Sequence, residues 1–315
     1  LSFVAFAQKK PLDHSVYDQW QSIKETVMHP RGQYLAYTIV PQEGDGVLIV
    51  RNTQTNTEFT IPRAAQVVFS EDGNYLFGKI KPTFNETRKA KIDKKKADEL
   101  PKDSLFIYHL KDASLEKIAN VKTFQIPTKS NGAIVYLLDK KGDINKDGSD
   151  LIIYNLKTLF KHTVKQVSQY AFNPNGQQII AYQVANKGNS AKVILSNVQD
   201  SSYRTLSAGI FSATGFVWDE FGNQAAFYTE KDSTSKALQK NYQLNYFKLG
   251  MDSSIVALST SHPSMPVQYV FGADRKLQFS KSGEVIELGI QPIIPIKDTS
   301  LPEFERVSID IWHYA

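Results

Sequence analysis

A short sequence phrase recurs along this chain: an apolar or aromatic residue, a polar turn that ends in glycine, and an apolar strand. The clear copies are HPRG before YLAYTIV, FSEDG before YLFGKI, FNPNG before IIAYQV and WDEFG before AAFYTE, and a weaker copy is SNG before IVYLLD. The glycines are about 41, 59, 44 and 46 residues apart at Gly32, Gly73, Gly132, Gly176 and Gly222. Such an interval is the length of one four-stranded propeller blade, and the longest interval indicates an insertion.

The phrase has a direct physical explanation. Gly and Asn tolerate positive φ, so pairs such as Asp72-Gly73 and Asn175-Gly176 allow a tight turn between two strands. The strand after the turn is apolar at almost every position, which is typical of a strand covered on both faces. A more polar strand pair follows in the repeat, for example in LIVRNTQTNTEFTI. Each repeat therefore predicts four strands.

These strands predict an all-β fold: a β-propeller of WD40-like or TolB-like four-stranded blades, with about five full blades and an incomplete sixth. The full blades are expected at residues 24–61, 66–119, 121–166, 167–207 and 213–259. The sixth has a candidate first hairpin in residues 268–283 and a candidate third strand from Val307 to Trp312. A β-sandwich has similar turn spacing, but it does not require self-similarity at the length of a blade.

Composition restricts the remaining classes of protein. The chain of 315 residues is 41% hydrophobic and 22% charged, which indicates a globular fold. The net charge is +5, but the lysine excess is concentrated in one segment without a recognition motif, so nucleic-acid binding is not favoured. The chain contains no cysteine, which excludes disulfides, thiolate metal sites and a cysteine nucleophile. No interior run is as long as a membrane span.

The first residues differ from the rest of the chain. Residues 1–7, LSFVAFA, are apolar, and Ala5-Phe6-Ala7 has the small-x-small form that signal peptidase cleaves, before the polar Gln8. This pattern predicts the remnant of a secretory signal, a mature protein that begins near Gln8, and a periplasmic or secreted location. Residues 8–315 then form the incomplete propeller domain. A buried edge strand is the alternative interpretation of the apolar run.

A charged insertion at residues 83–103 interrupts the second repeat and is a candidate helix. Asn85 is the expected cap and Pro101 the expected stop. Four residues would form a thin apolar stripe: Ala90, Ile92, Ala97 and Leu100. We favour a solvated excursion. The functional alternative is a surface arm that contacts another domain or lines a substrate entrance, with Asp98 and Glu99 as paired carboxylates for a cationic group.

The turn from Asp143 to Gly148, DINKDG, matches the first half of a calcium-binding loop, with oxygen ligands at alternate positions and glycine at the bend. The second half does not match, because position twelve falls on Tyr154 within a strand. A polar hairpin turn is the favoured interpretation. A weak calcium site completed from elsewhere is the alternative.

The sequence contains none of the motifs G-x-S-x-G, G-x-x-x-x-G-K-[ST], G-x-G-x-x-G and H-E-x-x-H. The histidines have no metal-ligand spacing: His14, His29, His109, His162, His262 and His313. His109 alternates with strand residues, so a packed or surface position is expected, and the many Tyr and Phe residues are expected to pack between blades. We therefore assign no catalytic, cofactor-binding or metal-binding residue, and expect no peptidase activity from this segment alone.

The order of features resembles the N-terminal half of secreted prolyl oligopeptidase-family (S9-type) serine peptidases of Bacteroidetes type. The resemblance spans nearly the whole chain, from PLDHSVYDQWQSIK through HPRGQYLAYTIVPQEGDGVLIV and ETRKAKIDKKKADELPKDSLFIY to PIIPIKDTSLPEFERVSIDIWHYA. Its most specific parts are KKKADELPKDSL and SIDIWHY. The blade phrases alone match many propellers.

In that family a propeller precedes an α/β-hydrolase domain that carries Ser, Asp and His, and the propeller restricts which peptides reach them. This sequence contains none of that hydrolase domain, so no triad residue is carried over. The resemblance implies a non-catalytic, gating propeller segment of a dipeptidyl or oligopeptidyl peptidase, with the hydrolase domain and peptide substrates as partners. The alternatives are a free-standing TolB-like propeller that binds proteins or peptides, and a propeller lyase or glycosidase, which needs convergent acids on the innermost strands.

Overall fold

The structure is a computed structural model, which describes residues 17, 20–185, 190–230, 239–272 and 275–294. The signal remnant expected at residues 1–7 and the strand expected at residues 307–312 lie outside the described residues. The expectation of a nearly all-β protein is confirmed, since strands follow one another along the chain with only short helices between them.

Most strands form five consecutive groups of four antiparallel strands, in which each strand pairs with the next along the chain. Group 1 contains β1 (Gln21–Met28), β2 (Tyr34–Pro41), β3 (Val47–Asn52) and β4 (Glu58–Pro62). Group 2 contains β5 (Ala64–Phe69), β6 (Tyr75–Ile80), β7 (Ser104–His109) and β8 (Ser114–Ile118). Group 3 contains β9 (Val121–Gln125), β10 (Ala133–Leu138), β11 (Ser149–Asn155) and the first part of β12 (Lys161–Phe172).

Group 4 contains the second part of β12, β13 (Gln178–Gln183), β14 (Ala191–Asn197) and β15 (Tyr203–Ile210). Group 5 contains β16 (Ser212–Trp218), β17 (Gln224–Glu230), β18 (Tyr242–Lys248) and β19 (Ile255–Leu258). A shorter unit follows, with β20 (Tyr269–Phe271), β21 (Gln278–Phe279), β22 (Ile286–Glu287) and β23 (Ile290–Pro292). No sheet closes on itself within the part of the chain that is described.

Groups 3 and 4 share a strand and therefore form a single seven-stranded sheet. The first part of β12 pairs with β11, and from Val167 onward the strand pairs with β13. Gln166, at the change of partner, has a φ of 60°. Between groups 1 and 2 the change takes one residue, Arg63, with a φ of 59°. Such short connections place consecutive groups side by side.

Five apolar cores lie in series, one between each group and the next unit along the chain. Adjacent residues of one strand enter different cores: Ile179 packs toward group 3, whereas Ile180 packs toward group 5. The strands after the glycine turns are therefore covered on both faces, as their apolar sequences predict. A β-sandwich has one core between two sheets, so the serial cores match the stacking of propeller blades instead.

The repeated glycine turns are equivalent in four copies. Gly32, Gly73, Gly176 and Gly222 have φ between 69° and 72°, and each N–H donates to the carbonyl three residues earlier. The weaker copy differs, because the φ of Gly132 is 92°. A copy that the sequence analysis missed is the turn 280–283, in which Gly283 has a φ of 77°.

The turn at 280–283 corrects the expected hairpin at residues 268–283. β20 pairs with β23 and β21 pairs with β22, so the hairpin runs from 269 to 292 around this turn. The strand signal was weak because the strands beside the turn are two residues long.

The insertion contains α1 (Phe84–Ile92) and a short 3-10 helix, Ala97–Glu99. The cap differs from the expected Asn85: the Thr83 hydroxyl accepts from the Glu86 N–H, and the Glu86 carboxylate accepts from the Thr83 N–H. This reciprocal pairing satisfies two N–H groups at once, which one asparagine does not achieve. The helix ends before Asp93, not at Pro101. Of the expected apolar stripe only Ala90 is buried.

Replacing Asp219 by alanine is expected to lower the free energy of unfolding by about 2–3 kcal/mol, because two backbone N–H groups lose their acceptor. The buried Asp219 carboxylate accepts from the N–H groups of Asn223 and Gln224 at 2.7 and 2.9 Å. Asn173 accepts from two N–H groups in the same way, at 2.9 and 3.1 Å. Asp219→Asn is therefore the matched control and should cost less than about 1 kcal/mol in chemical denaturation. Equal losses for the two variants would contradict the prediction.

Candidate functional site in the channel between the first strands

Two of the six histidines, His29 and His109, make contacts within the sheets. The His29 ring is buried, and its Nε2 lies 3.0 Å from the Gly73 carbonyl oxygen. His109 stacks on Tyr75 and hydrogen-bonds to Asp112, which lowers the pKa of that carboxyl to about 2. His14 and His313 lie outside the described residues. Within the described ranges, no three His, Asp or Glu side chains are grouped as metal ligands.

The acidic turn connects β10 to β11 and contains a one-turn helix, α2 (Ile144–Asp147). Asp143 accepts from the Asn145 N–H at 3.0 Å, and Asp147 accepts from the Asp143 N–H at 3.1 Å. The Tyr154 hydroxyl donates to Glu116, 3.2 Å away, on group 2. The carboxylates of Asp143 and Asp147 thus accept hydrogen bonds from the backbone of the turn itself, which supports the interpretation as a polar hairpin turn.

The two carboxylates singled out in the insertion have different surroundings. Glu99 is exposed and pairs with Lys141, whose Nζ lies 3.3 Å away. Asp98 is partly buried in the 3-10 helix. Because Lys141 follows β10, the insertion contacts group 3 through this ion pair. Of the two carboxylates expected to bind a cationic group, Glu99 is therefore already paired with a lysine of this chain.

The first strands of groups 3, 4 and 5 line two neighbouring cavities. One cavity, of about 360 Å³, lies beside β9, the second part of β12 and β16. The other, of about 440 Å³, extends to β21. Both contact Gln125 and Phe216. We call the two cavities together the channel.

Side chains hold the walls of the channel in place. The Gln125 amide accepts from the Phe172 N–H at 2.8 Å and donates to the Tyr170 carbonyl at 3.5 Å. The Trp218 indole N–H donates to the Ala171 carbonyl at 3.1 Å. These contacts satisfy backbone groups that a sheet edge otherwise leaves unpaired. They also join three groups, so the wall of the channel is a fixed surface.

Group 1 and group 2 are joined by the same kind of contact. The Glu25 carboxylate on β1 accepts from the N–H groups of Gln66 and Val67 on β5, at 3.0 and 3.2 Å. Gln66 has a φ of 54° at an irregularity in the pairing of β5 with β6. The bulge therefore turns two N–H groups toward a neighbouring sheet, where a side chain receives them.

Several polar side chains in and beside the channel are bonded to one another. No histidine lines either cavity in the described ranges. Thr123 and Tyr170 hydrogen-bond to each other at 3.1 Å, and burial raises the pKa of the Tyr170 hydroxyl well above its usual range. The Lys129 ammonium, bonded to Glu220, lowers the pKa of that carboxyl. The channel therefore has an apolar wall with a few polar groups held in place by hydrogen bonds.

Sequence reasoning missed these residues. Gln125, Tyr170 and Trp218 stand in strands that directly precede a glycine turn, a position that the repeat makes identifiable. The contacts themselves join residues about 47 apart, for example Gln125 to Phe172 and Trp218 to Ala171. No local pattern indicates which side chain reaches which neighbouring strand.

His162, on the first part of β12, is expected to make stability depend on pH. Neither ring nitrogen has a hydrogen-bond partner within the described residues, and burial lowers the pKa of the imidazole below 6.5, opposed by nearby Asp200. The unfolded chain takes up the proton first, so the contribution of neutral His162 is present above about pH 7 and is lost as the pH falls below about 6.5. Denaturation of His162→Phe across this range should show a weaker loss than the parent. The exposed His262, replaced in the same way, should leave the slope unchanged; an unchanged slope for both variants would contradict the prediction.

Comparison with known proteins adds no assignment by sequence, since no family model and no curated protein matches. Among solved structures, the chain is similar to the β-propeller domain of the trilobed protease from Pyrococcus furiosus, with 10% identity, 89% of this chain and 85% of that chain covered, and a TM-score of 0.43. A prolyl endopeptidase matches with 10% identity over 87% of this chain and 40% of its own, at a TM-score of 0.49. TolB from Acinetobacter baumannii matches with 12% identity over 72% of this chain and 52% of its own, at a TM-score of 0.36.

The chain spans less than half of that endopeptidase and about half of that TolB. Identities and TM-scores this low assign neither a family nor an activity, so function rests on the residues and their geometry. None of the helices in the described residues has the length and apolar character needed to cross a membrane.

Proposed function

We propose that this chain is the propeller portion of an exported prolyl oligopeptidase-like serine peptidase, with about five full blades and an incomplete sixth. The observation that carries the proposal is the channel, which lies where the first strands of three groups meet. The serial cores support the blade assignment. The sequence resemblance from the PLDHSVYDQWQSIK segment to the SIDIWHY segment supports the peptidase family.

In this proposal the channel restricts which peptides reach an α/β-hydrolase domain in another part of the same polypeptide. An extended peptide advances about 3.3 Å per residue, so a few residues fit in cavities of about 360 and 440 Å³. A folded protein does not fit. The bonds from Gln125 and Trp218 hold the walls at a fixed separation and so favour selection by size.

The proposal includes a periplasmic or secreted location, with residues 1–7 as the remnant of a signal. The support is the Ala5-Phe6-Ala7 sequence and the polar Gln8 that follows it. N-terminal sequencing of the protein isolated from its native cells tests this part. Retention of Leu1 in a cytoplasmic product would refute it.

The peptidase assignment is tested on the native protein. Cell fractions are treated with a fluorophosphonate probe, which labels activated serines, and the polypeptide that contains FSEDGNYLFGKI is isolated and mapped by mass spectrometry. We expect one polypeptide with this sequence and, after residue 315, a labelled serine in a G-x-S-x-G motif. A native polypeptide without a labelled serine would reject the assignment.

That negative result would favour the second candidate, a free-standing TolB-like propeller that binds proteins or peptides. The observation in its favour is the channel itself, whose apolar wall and fixed polar groups can bind a peptide without a hydrolase domain. A lyase or glycosidase is less consistent with the channel, because Asp219 bonds to its own turn and Glu220 pairs with Lys129. Two free carboxylates are what glycoside hydrolysis requires.

A further inference from the structure

The larger cavity of the channel has an aromatic and aliphatic wall. Phe172, Phe216 and Trp218 contribute from β12 and β16, and Leu277 and Phe279 contribute from the last unit. Phe216 is partly buried and stacks on Phe227 with ring centroids 5.3 Å apart, which fixes its orientation. A wall of this kind favours ligands with large apolar or aromatic side chains.

Three lysines that line the channel have no close ion pair within the described part of the chain. Lys122 lines the smaller cavity, and Lys276 and Lys281 line the larger one. All three are exposed, and none has an ion pair within 4.0 Å among the described residues. The channel also carries two acids: Asp219 accepts from its own turn, and Glu220 pairs with Lys129 at 2.7 Å and is also close enough to Lys281 for that charge to lower its pKa.

Several lysines of groups 2 and 3 are held in ion pairs, unlike these three. Lys79 lies 3.3 Å from Asp103, and Lys102 lies 3.2 Å from Asp139. Lys140 lies 2.9 Å from Asp150. Beside an apolar wall, unpaired ammonium groups attract an anionic ligand more strongly than they do in open water.

We propose that the channel binds acidic peptide segments in which carboxylates alternate with aromatic or large aliphatic side chains. The carboxylates contact Lys276 and Lys281, and the apolar side chains lie against Trp218 and Phe216. The inference rests on the proposed function in that it takes the channel as the path of peptides.

A peptide fits the polar groups better than an acidic oligosaccharide does. Sugar hydroxyls need many free hydrogen-bonding side chains, but the Gln125 amide is bonded to β12 and the Thr123 hydroxyl to Tyr170. A peptide with large apolar side chains buries more apolar surface against the aromatic wall than a hydroxyl-rich sugar does, and its carboxylates contact the lysines.

The test is fluorescence anisotropy with the full chain and labelled hexapeptides, capped at both ends. One peptide alternates glutamate with phenylalanine and the other alternates glutamine with phenylalanine. We expect the acidic peptide to bind about tenfold more tightly at low salt, and the preference to shrink at about 0.3 M salt because the pairs are exposed. A polyuronate oligosaccharide of similar length is the third probe.

The variant Lys276→Gln/Lys281→Gln should weaken binding of the acidic peptide about fivefold and leave the neutral peptide unchanged. The matched control is Lys111→Gln/Lys117→Gln, which removes the same charge from exposed positions on group 2, beside and within β8. This control should change binding less than about twofold. Both positions are exposed, so neither variant is expected to unfold the chain.

Equal affinity for the two peptides, an equal loss in the control, tighter binding of the polyuronate, or no binding of any probe would each overturn the inference. The measurement involves no hydrolysis. Selective binding without a labelled serine in the native polypeptide would therefore reject the proposed peptidase and keep the acidic-peptide site. A labelled serine without selective binding would do the reverse.

Discussion

Replacing Gly148 by alanine should lower the free energy of unfolding by about 3–5 kcal/mol, the sum of left-handed backbone strain and overpacking. Gly148 has a φ of 62° and a ψ of 175°. A Cβ at this position would meet backbone atoms of Gln166 at 2.4, 2.5 and 2.6 Å. Gln166 is itself at a φ of 60° where β12 changes partner, so its backbone has little freedom to move away.

Gly142, in the same connection, is the matched control. Its φ is 111°, but an added Cβ would meet the Asp147 carboxylate, a side chain that can rotate, at 2.8 Å. Gly142→Ala should therefore cost only about 1–2 kcal/mol. Urea denaturation in the presence of a chelator measures both variants without any metal contribution. Equal costs would show that the close approach to Gln166 is not what requires glycine at position 148.

Replacing Gly73 by alanine is the second large effect, with an expected loss of about 3–4 kcal/mol from strain and overpacking. The added Cβ would lie 2.1 Å from Nε2 of His29. The His29 ring is 2% exposed and is held edge-on by Tyr34 and Phe69, at centroid distances of 5.6 and 5.3 Å. The ring therefore cannot move aside without disturbing the core between groups 1 and 2.

Gly32 separates the two contributions, because it has the same turn and nearly the same φ, 69° against 72°, but no neighbouring atom within 4 Å of an added Cβ. Gly32→Ala should cost about 1–2 kcal/mol from strain alone. In the double variant His29→Ala/Gly73→Ala the losses should not add, because removing the ring makes room for the methyl group. Additive losses would show that Gly73→Ala destabilises the protein through strain in the turn and not through contact with the His29 ring.

The groups of strands were predictable because their signals are local. The repeat was marked by glycine turns, which need positive φ, and by the apolar strands beside them. The expected first blade at 24–61 lies close to the observed β1 to β4. The sharing of β12 was not predicted. Two separate blades were expected to meet between residues 166 and 167, but the backbone continues through Val167 as one strand that pairs first with β11 and then with β13. The Thr83 cap was missed because threonine and asparagine are both good caps, and the decisive partner is Glu86.

The channel was less predictable than the fold. Aromatic residues were expected to pack between blades, and Phe59 stacked on Tyr108 between groups 1 and 2 agrees with that expectation. Trp218 packs against the core between groups 4 and 5, but it also lines the channel and donates to a carbonyl of group 4. This second contact depends on which strand lies opposite Trp218, which is a property of the assembled sheets.

The shared strand determines how the channel can deform. Because β12 belongs to both group 3 and group 4, the wall that carries Gln125 and the wall that carries Phe172 are parts of one hydrogen-bonded sheet and move as one body. The wall that carries Phe216 belongs to group 5, which is a separate sheet. Only Phe211 separates its first strand, β16, from β15 of group 4. A ladder resists shear, whereas a single residue permits rotation about its backbone. Because the Trp218 indole bonds to the Ala171 carbonyl of that seven-stranded sheet, the aperture can widen by rotation of group 5 at Phe211 only if this bond breaks.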